Sequence, residues 1–292
     1  MALVEVYRSH RRADCDERAL VLAAVGVASE LVALGDGFAL LVAEESIATA
    51  ATHLADYGAE SSFRQPGAGP IRPHAYAWLG SAVFAVVLVS VADCAARDLL
   101  GFDWFSSGEL VAGLARTGEL WRVVTALTLH ADLAHLITNL SFGMLFGYLA
   151  GQLFGPGIAW ASIVAAGACG NLFDALLMPP SHRAIGASTA VFATLGLLAA
   201  YSWRRRSGRS ARWPYRWAPL IAAIALLAIL GTGGEHTDVL AHLTGFFAGT
   251  ALGAVYGGLA VPRSSRALPQ LLAGAAALAA IGGAWVWALI SA

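Results

Sequence analysis

The sequence predicts an all-α polytopic membrane protein with a small α/β domain ahead of it. Three observations carry this. Hydrophobic residues make up 58% of the chain and charged residues only 13%, against about 25% charged in a typical soluble domain. Seven apolar stretches follow one another, most of them near the roughly 20 residues that cross a hydrocarbon core. The first 63 residues differ from the rest: they hold ten of the acidic residues and no unbroken apolar run long enough to span a bilayer. Their one long hydrophobic stretch, Ala19 to Val42, is interrupted by Glu30 and Asp36.

Charge and cysteine usage narrow the function classes. The net charge is -1, and no basic stripe interleaved with aromatics is present, so nucleic acid is excluded as a partner. All eighteen basic residues are Arg, with no Lys, in a chain rich in Ala and Gly. That composition is expected of a high-GC bacterium. Cys15, Cys94 and Cys169 lack metal-ligand spacing, and no disulfide is expected. The start, Met1 to Tyr7, lacks the basic and apolar regions of a signal peptide.

Residues 1–63 read as a small cytoplasmic domain. Leu3 to Tyr7 predicts a strand, Asp16 to Val27 a helix, and Ser46 to Tyr57 a second helix. Between the helices, Glu30–Leu34 and Phe38–Val42 flank Gly35-Asp36-Gly37, a hairpin signal. The order β-α-β-β-α suggests a ferredoxin-like arrangement. Residues 64–74, rich in Pro and Gly, form the predicted linker. The expected spans begin at Tyr76–Cys94. The second follows His130 and ends near Leu153, and the others are Ile158–Met178, Gly186–Trp203, Trp217–Leu230, Val239–Leu259 and Leu268–Ile290. Residues 75–260 thus hold a six-helix core, and 261–292 a seventh helix with its loop.

Orientation follows from arginine placement. The short connection from Arg204 to Arg216 holds six arginines, and the next inner loop holds Arg263 and Arg266. The positive-inside rule places both loops in the cytoplasm. With seven spans, the N-terminus is then cytoplasmic and the C-terminus outside, in the plasma (bacterial inner) membrane. The segment from Arg97 to Trp121 falls outside and is predicted to form an interfacial hairpin or lid.

Polar side chains within apolar spans are costly and mark candidate sites. His135 and Asn139 lie four apart and share a helix face, where their N–H groups can converge on one developing anion. Hydrogen bonding between helices explains such a pair equally well. Ser188 opens the fourth span, two residues after Gly186 and four before Phe192. On the sixth span, His242 precedes Gly245 and Gly249, a small-residue face that permits close helix contact. Packing that face on the fourth span would carry His242 to Ser188, as a base to a nucleophile. The spacing of His130 and His135 is not that of a zinc helix, and neither metal nor cofactor is expected. A transporter path through these residues predicts paired broken helices, and no internal repeat supports one.

Taken in order, these motifs resemble the rhomboid family. The likeness rests on Trp121-Arg122, the His130/His135/Asn139 spacing, Gly186-x-Ser188 with Phe192, and His242-x-x-Gly245-x-x-x-Gly249. The resemblance covers about residues 75–260, and the last span implies the six-plus-one form. It implies an intramembrane serine protease in which Ser188 attacks and His242 serves as base, a dyad with no Asp. His135, Asn139 and the Ser188 N–H would form the oxyanion hole, with Phe192 packed on His242. His130 and Arg122 would order the outer loop. Transmembrane protein substrates would enter from the lipid bilayer, with the fifth span and the loop through Glu235 and Asp238 as gate. Thr189, Thr244 and Gln152 depart from the family pattern, which has Gly, Gly and Glu there. The alternative the resemblance leaves is a catalytically inactive relative that holds transmembrane clients.

Overall fold

The computed structural model describes residues 2–63, 73–206, 213–231, 238–259 and 266–291. The chain divides into two compact units, Met1–Pro70 and Ile71–Ala292. The first contains β1 (Leu3–Ser9), α1 (Arg12–Ala24), β2 (Ser29–Leu34), β3 (Gly37–Ala43) and α2 (Ile47–Phe63). Its sheet is antiparallel with β3 in the centre. Leu34 pairs with Gly37, so Gly35-Asp36 form a two-residue hairpin loop. Leu40 and Val42 point from β3 to one face and are buried with Leu22 of α1 and Ala50 of α2. That apolar layer is what a three-stranded sheet needs to stand in water. Of the expected linker, residues 64–72 lie outside the described residues.

The second unit is helical. It runs α3 (Ala77–Ala96), α4 (Trp104–Gly108), β4 (Leu110–Val111), α5 (Ala112–Arg116), α6 (Arg122–Thr125), α7 (Leu133–Phe154) and α8 (Pro156–Leu177). Then come β5 (Arg183–Ala184), α9 (Ser188–Arg205), α10 (Trp213–Leu230), α11 (Val239–Gly258) and α12 (Ala267–Ser291). Six of these, α3, α7, α8, α10, α11 and α12, are long and apolar enough to cross a membrane. The protein is therefore a multi-pass membrane protein.

The sequence predicts a further span at Gly186–Trp203, and α9 covers it from Ser188 but runs on to Arg205, so that with Arg204 and Arg205 in its last turn it is not among those six. Twelve of its eighteen residues are buried, so protein rather than lipid surrounds it. Thr189 and Thr194 are tolerated there, and the Thr194 hydroxyl donates to the Ala190 carbonyl at 2.7 Å. By contrast α10 buries only Ala223 and Leu227 and leaves Ile221, Ile224 and Ile229 exposed.

The segment between α3 and α7, predicted to be a hairpin or lid, is built of several short elements. It folds into α4, α5 and α6, and β4 pairs antiparallel with β5. Arg122 is buried at its centre. It bonds Glu119 at 2.6 Å and donates to the carbonyls of Ser106 and Glu109 at 2.9 and 2.8 Å. The Trp121 indole donates to the Ser107 carbonyl at 3.1 Å. Helix α12 ties into the same segment: Trp285 donates to Thr128 at 3.0 Å, and its ring lies 4.7 Å from Trp104. At the other end of α12, Gln270 accepts from the Ile158 N–H at 3.1 Å and donates to the Phe154 carbonyl at 2.9 Å. One side chain thus serves both helix ends at the α7–α8 corner, where Gly155 and Pro156 turn the chain.

Candidate active site

Helices α9 and α11 make the site by packing in parallel, backbone against backbone. The faces of Gly245, Gly249 and Gly253 meet Thr189, Ala193 and Leu197 in turn. A Cβ on Gly249 would lie 2.5 Å from the Ala193 carbonyl carbon, so no other residue fits. Because the register is parallel, the residues just before each seam come out at the same end. Those are Ser188 on α9 and His242 on α11, and both line one cavity of about 770 Å³.

His135 and Asn139 of α7 line the same cavity. Gly186 explains how they approach the turn before Ser188. Its φ is +125°, and a Cβ there would sit 2.7 Å from His135 Nε2 and 3.6 Å from Asn139 Nδ2. Only glycine allows this conformation and this approach together. The turn is fixed further by Gly186 N–H donating to the Ala126 carbonyl at 2.9 Å and Ala187 N–H donating to His130 Nε2 at 3.4 Å. Asn139 is buried, and its Nδ2 has no hydrogen-bond partner among the described residues. A buried amide donor without a partner is costly unless a group comes to accept from it. Ser188 starts α9, whose first N–H groups have no partner within the helix.

His242 is buried, and its Nδ1 lies 2.9 Å from the Gly231 carbonyl at the end of α10. A carbonyl can only accept, so Nδ1 carries the proton and Nε2 keeps its lone pair. The Phe192 ring stands 4.5 Å from the imidazole, tilted by 42°. A backbone carbonyl and an aromatic wall thus hold the imidazole. Sequence reasoning missed Gly231. A main-chain carbonyl leaves no residue-type signal, so nothing in the sequence could have found it.

His130 stands outside the spans. Burial, with a smaller push from neighbouring His135, lowers its pKa to about 4. It is held neutral, as its acceptor role toward Ala187 requires. Thr189 is one of the three departures from the family pattern. Its side chain points away from the cavity, and its methyl fills a slot against Gly170 and Gly245, 2.8 and 2.9 Å from where their Cβ atoms would be. Two glycines therefore absorb one β-branched residue. Thr244 donates within its own helix to the Leu240 carbonyl at 2.9 Å. Gln152 bonds the Tyr148 hydroxyl at 2.9 Å. Of the expected gate, Asp238 lines the cavity, and Glu235 lies outside the described residues.

Comparison with known proteins finds that residues 117–259 match the rhomboid domain. The chain is 34% identical over 141 residues to Rhomboid-like protease 3 of Toxoplasma gondii, covering 47% of this chain and 52% of that one. It is 31% identical over 154 residues to RHOMBOID-like protein 5 of Arabidopsis thaliana, covering 51% and 48%. It is 30% identical over 146 residues to Rhomboid protease GluP of Bacillus subtilis, covering 48% and 27%. The chain spans about half the length of the first of these relatives. Eukaryotic and bacterial relatives occur together, so they lend no support to the bacterial source expected from composition.

Proposed function

The chain belongs to the rhomboid family, and from that premise we propose that it is an intramembrane serine endopeptidase acting on transmembrane segments of other proteins. Ser188 attacks the scissile carbonyl, and His242 Nε2 takes its proton and returns it to the leaving amine. The Gly231 carbonyl holds the imidazole in the tautomer this needs. Asn139, His135 and the Ser188 N–H bind the oxyanion. The carrying observation is that Asn139, with its buried and unpaired amide nitrogen, lines the same cavity as Ser188 and a tautomer-fixed His242. Phe192 packs the base, while Gly186, Gly245 and Gly249 allow the close approaches. Arg122, Trp121 and His130 hold the outer segment in shape. No cofactor takes part in this chemistry.

In this reading α9 completes a six-helix core over residues 75–260, and α12 is the added seventh span of a six-plus-one form. Residues 1–63 form a ferredoxin-like cytoplasmic domain joined by a linker at 64–74. The arginine-rich loop is cytoplasmic and the C-terminus outside, in the plasma membrane. The test is labelling of detergent-purified protein by a fluorophosphonate probe. Wild type is expected to label, and Ser188→Ala and His242→Ala are expected not to. A folded wild type that stays unlabelled would replace the enzyme by a client-holding relative.

A further inference from the structure

Away from Ser188 and His242, three polar side chains converge from distant parts of the second unit. Asp174 lies near the C-terminal end of α8, His182 in the connection before β5, and Asp238 at the N-cap of α11. One ligand atom from each lies within 4.8 Å of the other two. His182 Nε2 is 2.7 Å from Asp238 Oδ2 and 3.2 Å from Asp174 Oδ2. Asp238 divides its oxygens: Oδ1 accepts from the Ala241 N–H at 2.9 Å, capping α11, while Oδ2 faces His182.

Asp174 is the unusual member. It is fully buried at 0% exposure: Oδ2 has only His182 Nε2, 3.2 Å away and shared with Asp238, and Oδ1 has no hydrogen-bond partner among the described residues. A buried carboxylate with one shared donor is expensive, and native structures neutralise such groups. The neighbouring cation does not do so, because Arg183 pairs with Glu109. His182 has a single Nε2 position to offer, and it lies nearer Asp238 than Asp174. Two carboxylate oxygens and one imidazole nitrogen around a common centre are a mixed N/O donor set. Zinc takes such donors at about 2.0–2.2 Å, which sets ligand atoms roughly 3 to 3.5 Å apart. The three atoms reach that spacing with small side-chain movements. Asp238 also lines the large cavity, which provides an entry path.

We propose that Asp174, His182 and Asp238 bind a divalent cation of the zinc class, clamping the end of α8 and the N-terminus of α11 together. The clamp sits one helical turn before His242, so it would steady the cap of the helix that carries that residue. The sequence predicts no metal, since these ligands are spread over 64 positions with no spacing to recognise them by.

The experiment uses the full chain in detergent, stripped with a chelator, then titrated with Zn2+ and, separately, Co2+. Bound metal is counted, the Co2+ absorption recorded and thermal unfolding followed. The expected result is one ion per chain, a visible Co2+ band and a rise in Tm. Asp174→Asn and His182→Gln, each nearly equal in volume to the original, should each weaken binding at least tenfold. Absence of binding by wild type at about 100 µM metal would overturn the proposal. So would binding that survives His182→Gln, which would locate the ion elsewhere. A Tm that responds to pH but not to metal would reduce the cluster to an ion-pair network and also overturn it. Should Asp174→Asn fail to fold, the wild-type and His182→Gln titrations decide the matter alone. Metal counting needs no protease substrate, so this outcome is independent of the activity.

Discussion

Substituting Gly249 by Ala tests the seam on which the site depends. The added Cβ would stand 2.5 Å from the Ala193 carbonyl carbon and 2.8 Å from its Cα. Ordinary contact begins near 3.4 Å, so α11 must retreat from α9 by at least about 0.9 Å. The atoms in the way are backbone within a helix and cannot rotate aside. Overpacking of this kind costs about 1–3 kcal/mol. It also shifts His242 relative to Ser188, and a displacement near 1 Å costs roughly 100-fold in rate. The assay pairs thermal unfolding in detergent with the rate of fluorophosphonate labelling. Gly282→Ala in α12 is the control, because a Cβ there meets nothing within 4 Å. It should be neutral or stabilising by up to about 1 kcal/mol. If Gly249→Ala matched wild type in both readings, the parallel seam would not be what aligns the pair, and the reasoning would fail.

Three further outcomes follow from the same geometry. Asn139→Ala should keep the fold and lower turnover of a model transmembrane substrate by about 10²- to 10³-fold, the usual loss of one oxyanion donor; unchanged turnover would remove Asn139 from that role. Thr189→Ser deletes the methyl that fills the slot beside Gly170 and Gly245, and should cost about 1 kcal/mol of stability while leaving labelling intact. Loss of labelling without loss of stability would instead place that side chain in the chemistry. His130 has its pKa lowered from 6.5 to about 4 by burial, so the unfolded chain binds the extra proton first as pH falls. Its contribution is complete above pH 6.5 and is lost between 6.5 and 4, by about 3 kcal/mol. Thermal unfolding across that window should show the slope in wild type and a shallower one in His130→Gln.

The sequence by itself determined what depends on neighbours along the chain. Hydropathy marks the spans because lipid selects residues one at a time, and the spacing of His135 to Asn139 or Gly245 to Gly249 fixes a helix face locally. Those signals carried the membrane class, the pairing of the two helix faces and the candidate nucleophile and base. They failed where the surroundings, not the residue, set the outcome. Helix α9 covers the predicted fourth span, yet nothing in its own sequence shows that other helices enclose it. The segment from Arg97 to Trp121 reads as a hairpin or lid, and only the structure shows Arg122 gathering the Ser106 and Glu109 carbonyls into a folded unit. Nothing along the chain shows that Gly170, on another helix, makes room for the Thr189 methyl. The Gly231 carbonyl, the Gln270 brace and the Asp174–His182–Asp238 cluster bring together groups far apart in sequence. Tertiary packing alone decided these, because hydrogen bonds and charge neutralisation act over a few ångströms of space and are indifferent to distance along the chain.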